Sequence, residues 1–405
     1  MCTKQKRWMI YVGQYRMLKS KIIRIYVLKI LFFLVCLQSL EVLSFGGFAI
    51  KYYHAFAVSL FPYLKRRKKI SFVSKKISFF YIIITVVSAI AAPLFGISSF
   101  FFNYLFALYL IVLVKNIGYD FFSEDWHSVL TDAFIIVLSI VWIKNIIQYQ
   151  AFIDFFRRPY GHPIISVFFG GGVNLEASYI ALMCPIFFST KIVWPFIISS
   201  IAIAILYASR TAIVINILVI VWIMFIKIDK KHWWKISIVI VASLVTLIII
   251  FERGYLDYVV QRFYNIGHES GSIGRRNMWV HVDDIIRKYP FGVGIGNSIR
   301  ALRKVSGIEF GEDNLHNLYM QMVVDLGFIG GLYYIGLVID FLYKNRKRLK
   351  EPIVFVLVMY IVACLVQFRG AEAIIYFILA VYLKISHVAK KKIESSGSIS
   401  NRQLR

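Results

Sequence analysis

The chain has 405 residues, 59% of them hydrophobic and only 17% charged, with a mean hydropathy of +0.71. A soluble domain is roughly half apolar and about a quarter charged, so composition excludes an ordinary soluble fold. The net charge of +26 sits in short clusters between apolar runs rather than on one surface, which argues against a nucleic-acid binder. Four cysteines without a CxxC pair (Cys2, Cys36, Cys184, Cys364) indicate neither a disulfide framework nor a zinc site.

Residues 1–29 are polar and basic and read as a cytoplasmic N-terminus ahead of an uncleaved signal-anchor. Apolar segments then recur at about 30–48, 50–64, 77–95, 99–114, 129–147, 176–190, 192–208, 211–227, 236–251, 316–343, 352–368 and 373–387. The spacing predicts an all-α polytopic membrane protein with about twelve transmembrane helices. The first pair is interrupted by Glu41 and Lys51, and the uncharged run from Ile77 to Val114 is divided by a turn at Pro93, Gly96, Ser98 and Ser99. The expected organisation is therefore spans one to nine over 30–251 with a shorter outer loop at 148–175, a large folded outer loop at 252–315 between spans nine and ten, spans ten to twelve over 316–387, and a basic tail at 388–405.

Basic residues orient this arrangement. With both termini cytoplasmic, 32 of the 47 lysines and arginines fall on the inner side, as the positive-inside rule requires. The cations differ in kind as well: 11 of the 15 outside or within spans are arginine, against 9 of the 32 inside. Arginine's planar fork suits phosphate or carboxylate, so the outer side is the one equipped to bind an anion.

The large loop carries "GRRNMW" (274–279), a helix expected over about 275–289, the turn "PFGVGIGN" (290–297) and a second helix near 297–305. Gly292, Gly294 and Gly296 do not complete GxGxxG, and no strand precedes them, so a close-packed turn is expected rather than a nucleotide site. His281, Asp283 and Asp284 lack a second histidine at ligand spacing, which leaves no metal site and no cofactor. Arg210 stands at the end of an uncharged run in "SRTA", either as an interfacial arginine or as an anion ligand at a helix start. Asp325 and Asp340 lie inside the tenth span, where a carboxylate invites a functional reading, although Asp340 is near enough to "KNRKR" to pair there. The span opens with His316 and Asn317, which by themselves suit a helix cap, and Gly327 and Gly331 form a GxxxG surface for close packing.

Taken in order, these pieces resemble the superfamily of O-antigen ligases and Wzy-type O-antigen polymerases. His316-Asn317, nine residues, then Gly327-Phe-Ile-Gly330 is similar to its HN-x9-GxxG motif. "GRRNMW" is similar to a G-R-x-x-x-W segment, "YPFGVGIGN" to a P-x-x-G-x-G turn, "SRTA" to the Ser-Arg opening a middle span, and Asn174 to Ala177 to an Asn-x-x-Ala helix. The resemblance covers about 170–340, and the first 150 residues only by topology.

The resemblance implies a GT-C-like helical fold in the bacterial inner membrane, with the active site on the periplasmic face. It implies a membrane glycosyltransferase whose donor is an undecaprenyl-diphosphate-linked oligosaccharide and whose acceptor is a lipid-linked repeat unit, in contact with membrane lipids. It leaves open a chain-length regulator as a further partner. In that reading Arg210 and Arg275 bind the diphosphate with help from Arg276 and Arg303. His316 orients or deprotonates the acceptor hydroxyl, Asn317 supports it and Trp279 faces sugar, while Gly327, Gly330 and Gly331 let the helix pack closely. Polymerase and ligase share the motifs, the Ile/Phe/Lys-rich composition leaning to polymerase. A lipid-oligosaccharide flippase or other transporter is the alternative of another class.

Overall fold

The computed structural model describes residues 20–45, 48–65, 70–118, 121–150, 172–227, 264–265, 268, 270–367 and 370–386. The ninth span at 236–251, most of the loop at 148–175, the start of the large loop at 252–263, residues 1–19 and the tail at 388–405 lie outside them. So do Arg157, Arg158, Arg253, Arg262 and Arg369.

In chain order the described elements are α1 (20–36), β1 (Glu41–Phe45), β2 (Phe48–Lys51), α2 (Tyr52–Ser59), α3 (Phe61–Lys65), α4 (Lys75–Phe95), α5 (Ser99–Ile117) and α6 (Ser123–Ile147). Next come α7 (Val173–Met183), which tightens into a 3-10 turn over Cys184–Ser189, α8 (Val193–Leu206), α9 (Arg210–Lys227), α10 (Ser270–Val280), α11 (Val282–Lys288), α12 (Ser298–Ser306), α13 (Leu318–Asn345) and α14 (Pro352–Ala363). The last is α15 (Ala373–Ser386). Among the described residues α4, α5, α6 and α13 are long and apolar enough to cross a membrane, and five further apolar helices are shorter.

Most elements form where the apolar runs predict them. The turn between α4 and α5 falls at Gly96, whose φ of 73° ends α4 in a conformation natural to glycine. The clearest difference is the first apolar pair. Instead of one helix over each of 30–48 and 50–64, α1 is already helical at residue 20 and stops at residue 36, and the second run holds the two short helices α2 and α3. An antiparallel ribbon follows α1, with Glu41 opposite Lys51. Strand-forming Val42 and Ile50 weaken the helical preference there, and the two charges that interrupt the run meet across the ladder. The helix expected over 275–289 is likewise two helices, broken at His281 (φ −91°, ψ 0°). After Met183 the chain tightens at Pro185, which has no N–H to continue an α-helical ladder.

The chain divides into two compact units. One comprises Met1–Val73, Phe106–Ile140 and Ala373–Arg405; in it Phe32 packs on Phe377 at 4.8 Å between ring centroids, and Lys29 pairs with Asp132 at 2.6 Å. The other, Ser74–Leu105 and Val141–Glu372, holds α7 to α14 and every candidate site residue. Its loop has its own apolar core: Met278, Val282, Ile285, Ile299, Leu302 and Leu315 are buried together with Ala91 and Phe95 of α4 and Val324 of α13. The loop from 270 to 317 is thus a folded structure seated on two long helices.

Candidate active site

The site is assembled at the N-terminal end of α13. Asn317 caps that helix, its side-chain oxygen accepting the Met320 N–H at 3.1 Å, which satisfies one of the donors a helix start leaves without a partner. The next free donor, the Leu318 N–H, reaches the Cys364 carbonyl at 2.9 Å, fixing the head of α13 to the C-terminal turn of α14. His316, just before the cap, has φ 54°. Its backbone N–H donates to the Oδ1 of Asn314 at 2.8 Å, and Asn314 is fully buried. A left-handed residue other than glycine persists only where its surroundings hold it, and such residues concentrate at functional sites. The His316 ring reaches Glu312, Nε2 to Oε2, at 2.9 Å.

Further along, Gly327 (φ 72°, ψ 176°) breaks α13, nine residues from its start and so about 14 Å down its axis at ~1.5 Å per residue. A break in an apolar layer strands backbone groups that no water can satisfy. Here the glycine-rich turn after α11 satisfies them. The Val293 N–H donates to the Val324 carbonyl at 3.2 Å, Gly294 N–H to the Asp325 carbonyl at 2.9 Å, and Phe328 N–H to the Pro290 carbonyl at 3.2 Å. The approach is so close that a Cβ on Gly327 would stand 2.4 Å from the Phe291 carbonyl carbon, and one on Gly292 would stand 2.5 Å from the Gly327 nitrogen. The turn "PFGVGIGN" and the glycines of α13 are therefore two halves of one joint. Gly331 serves the same break, since its Cβ would meet Val323 at 2.6 Å, while Gly330 faces Ile83 of α4. The GxxxG pair expected to contact a neighbouring helix instead accommodates a turn inserted into its own.

Asp325 completes the joint. It is fully buried and its carboxylate accepts the Gly296 N–H at 2.7 Å and the Ser298 N–H at 3.0 Å. It thereby caps α12, whose own N-cap residue, Asn297, makes no side-chain cap bond. A carboxylate at a helix N-terminus meets both the free donors and the positive end of the dipole.

Bonds from the neighbours of two predicted cations, Arg210 and Arg275, lead back to the head of α13. Arg210 is the first residue of α9. Beside it Ser209 donates to the Asn174 carbonyl at 3.2 Å, and Thr211 donates to Gln367 at 3.1 Å, one turn beyond the Cys364 that holds the head of α13. The Tyr207 hydroxyl, just before Arg210, donates to Glu176 at 2.9 Å and is within 2.7 Å of Asn145. Glu176 is itself paired with Lys144 in the interior. Arg275 lies one helical turn before Trp279, whose indole N–H donates to the Leu315 carbonyl at 2.8 Å, adjacent to His316. Trp279 thus ties α10 to the histidine-bearing segment, its polar atom engaged with backbone. Arg276 is exposed on α10. Arg303 is engaged elsewhere: it pairs with Glu309 at 2.9 Å and binds the Phe310 carbonyl at 2.7 Å. Its neighbours Arg300 and Lys304 donate to the last carbonyls of α4, at Phe95 (2.8 Å) and Leu94 (2.5 Å).

Glu312, whose carboxylate meets the His316 ring, was missed by sequence reasoning, and Asn314, which holds the His316 main chain, stood out only as a polar residue near the cap. The signal for Glu312 was its position four residues ahead of the histidine. An imidazole with a carboxylate partner, together with Arg210 at the start of α9 and Arg275 within α10, supplies groups that can bind an anion and move a proton.

Residues 195–335 match the family described as O-antigen ligase, a region that contains Arg210, Arg275, His316 and Gly327. No match to a curated protein was found. The family match supports a place in the O-antigen ligase and polymerase superfamily, and with the apolar helices it supports a multi-pass membrane protein of polysaccharide biosynthesis.

Proposed function

We propose that the protein is a polysaccharide polymerase of the bacterial inner membrane, adding glycan from an undecaprenyl-diphosphate-linked donor to the hydroxyl of a lipid-linked repeat unit on the periplasmic face. What supports this reading is that bonds from the neighbours of both arginines lead to the histidine segment: Thr211, next to Arg210, bonds to Gln367 just past the Cys364 that holds Leu318, and Trp279, one turn after Arg275, bonds to the Leu315 carbonyl beside His316. Arg210 and Arg275 hold the diphosphate, where the N-terminus of α9 adds its dipole. Their charges offset the negative charge that grows on the leaving group. His316 takes the proton of the acceptor hydroxyl. The hydroxyl oxygen then bonds to the anomeric carbon as the bond from that carbon to the diphosphate oxygen breaks, and the diphosphate departs with the electron pair. Arg276 is placed to meet the extended substrate, and Asn317 fixes the direction in which α13 presents the histidine.

The family match bears the description O-antigen ligase, which favours a second reading: transfer of the finished glycan to lipid A–core. A strain lacking the protein separates the two by gel analysis of its lipopolysaccharide, since a core carrying a single repeat marks a lost polymerase and a bare core a lost ligase. His316→Ala abolishes either transfer while the protein stays in the membrane at normal level. Normal chain extension by that variant would overturn the reading. Extension of purified lipid-linked repeats in detergent, with no gradient, excludes transport as the sole activity.

A further inference from the structure

His316 is held from two directions by residues that the transfer reading does not use. Its main chain is set by Asn314, through the 2.8 Å bond to Oδ1, in the left-handed conformation at φ 54°. Its ring is set by Glu312, Oε2 to Nε2 at 2.9 Å, with the His316 side chain 17% and the Glu312 side chain 47% exposed. An ionised carboxylate only accepts hydrogen bonds, so the shared proton belongs to Nε2, and in the neutral ring Nδ1 then carries the lone pair.

We propose that Glu312 is the positioning residue of the site: it orients the His316 ring and makes Nδ1 the atom that takes the acceptor's proton. The inference rests on the transfer reading given above. As the acceptor hydroxyl bonds to the anomeric carbon, its proton moves to Nδ1 and the ring becomes an imidazolium with both nitrogens protonated. The Glu312 carboxylate, still hydrogen-bonded to Nε2–H, balances that charge without taking up a proton. Water recovers the proton from Nδ1 after the product leaves. Asn314 has the complementary task, since a ring held only through its side chain could swing with the loop.

The test uses full-length protein in nanodiscs with 15N-labelled histidine, the His316 signals being identified by their loss in His316→Gln. The expected spectrum shows His316 with Nε2 protonated and Nδ1 unprotonated, and a Nε2 proton that exchanges slowly with water. Glu312→Ala should abolish the slow exchange. With undecaprenyl-diphosphate-linked oligosaccharide extracted from the parent cells as donor, Glu312→Ala should lower kcat about tenfold at unchanged KM. Glu312→Gln, which keeps an acceptor but no charge, should retain the slow exchange and fall between the two in kcat. A wild-type ring protonated at Nδ1, or a kcat in Glu312→Ala within about twofold of wild type, would reduce Glu312 to a surface neighbour and overturn the inference. If that happens while His316→Ala is dead, the transfer reading stands and only the role of Glu312 falls. If His316→Ala is active, both fall.

Discussion

The two halves of α13 are one continuous helix in sequence and two different materials in structure. From Leu318 to Gly327 the helix is largely buried, with Leu318, Gln321, Met322, Val324, Asp325 and Leu326 all in the interior and Val324 packed into the core of the folded loop. Beyond the break, Phe328, Ile329 and Leu332 are exposed apolar side chains, as suits a helix facing hydrocarbon. The two carboxylates of α13 divide in the same way. Asp325 is fully buried and bonded to two backbone N–H groups of another element. Asp340 is partly exposed and pairs with Lys76 at 3.0 Å and Lys344 at 2.8 Å. A carboxylate in a membrane helix is therefore not one kind of feature. The first half of α13 is built to hold the residues at its head still, and the second half to sit among lipids.

The strongest test of that division is Gly327→Ala. The new methyl would enter the space of Phe291 and Pro290 at 2.4 and 2.6 Å, in a backbone region that side chains avoid, and the cost is roughly 3–5 kcal/mol from strain and overpacking together. Either the turn at 290–296 is expelled or α13 straightens, and both disturb His316. Thermal melting in detergent should show a large loss together with loss of glycan transfer, whereas a normal melting curve would mean the break is not a fixed joint. Asp325→Ala comes next. It leaves the Gly296 and Ser298 N–H groups buried without an acceptor, for about 2–3 kcal/mol, and Asp325→Asn should recover part of this because its side chain keeps one accepting oxygen. Trp279→Phe is milder, about 1 kcal/mol, since it removes a single bond to the Leu315 carbonyl and leaves the ring's packing. If Trp279 serves chiefly to hold that segment, transfer should fall in proportion to the loosening, and a loss of sugar preference without a loss of stability would return Trp279 to the sugar.

The contrast within α13 also marks what could be read in advance. Apolar length was enough to locate α4, α5, α6 and α13, because a long apolar run has one economical backbone solution in lipid. Pro93 and Gly96 marked the turn after α4 because their backbone preferences act locally. Asp340 was legible for the same reason, its partner Lys344 standing one turn away. Asp325 was not, since its partners at 296 and 298 lie almost thirty residues away in sequence. Gly327 was recognised as close-packing, but a spacing of four residues to Gly331 suits a helix-packing face as well as a break, and only the inserted turn distinguishes them. His316 stood out through its spacing to Gly327 and Gly330. Glu312 did not, because a carboxylate four residues before a histidine outside a helix has no fixed geometry until the loop is folded. In the first unit the ribbon at 41–51 was hidden by an apolar composition that a strand and a short membrane helix share.

The smallest effect expected is at Asp340, where the comparison is most exposed to failure. Its two lysine partners are more than half exposed, at 57% and 60%, and pairs of that kind contribute under about 1 kcal/mol because water screens them and the long side chains lose freedom in pairing. Asp340→Ala should therefore melt close to the wild type and keep full transfer, and raising the salt concentration should narrow what difference remains. Two carboxylates fifteen residues apart on one helix would then differ in consequence as they differ in burial. Should Asp340→Ala prove as damaging as Asp325→Ala, burial would not be what separates the two halves, and Lys76 and Lys344 would have to be regarded as part of the support for α4 and α13 that keeps His316 in place.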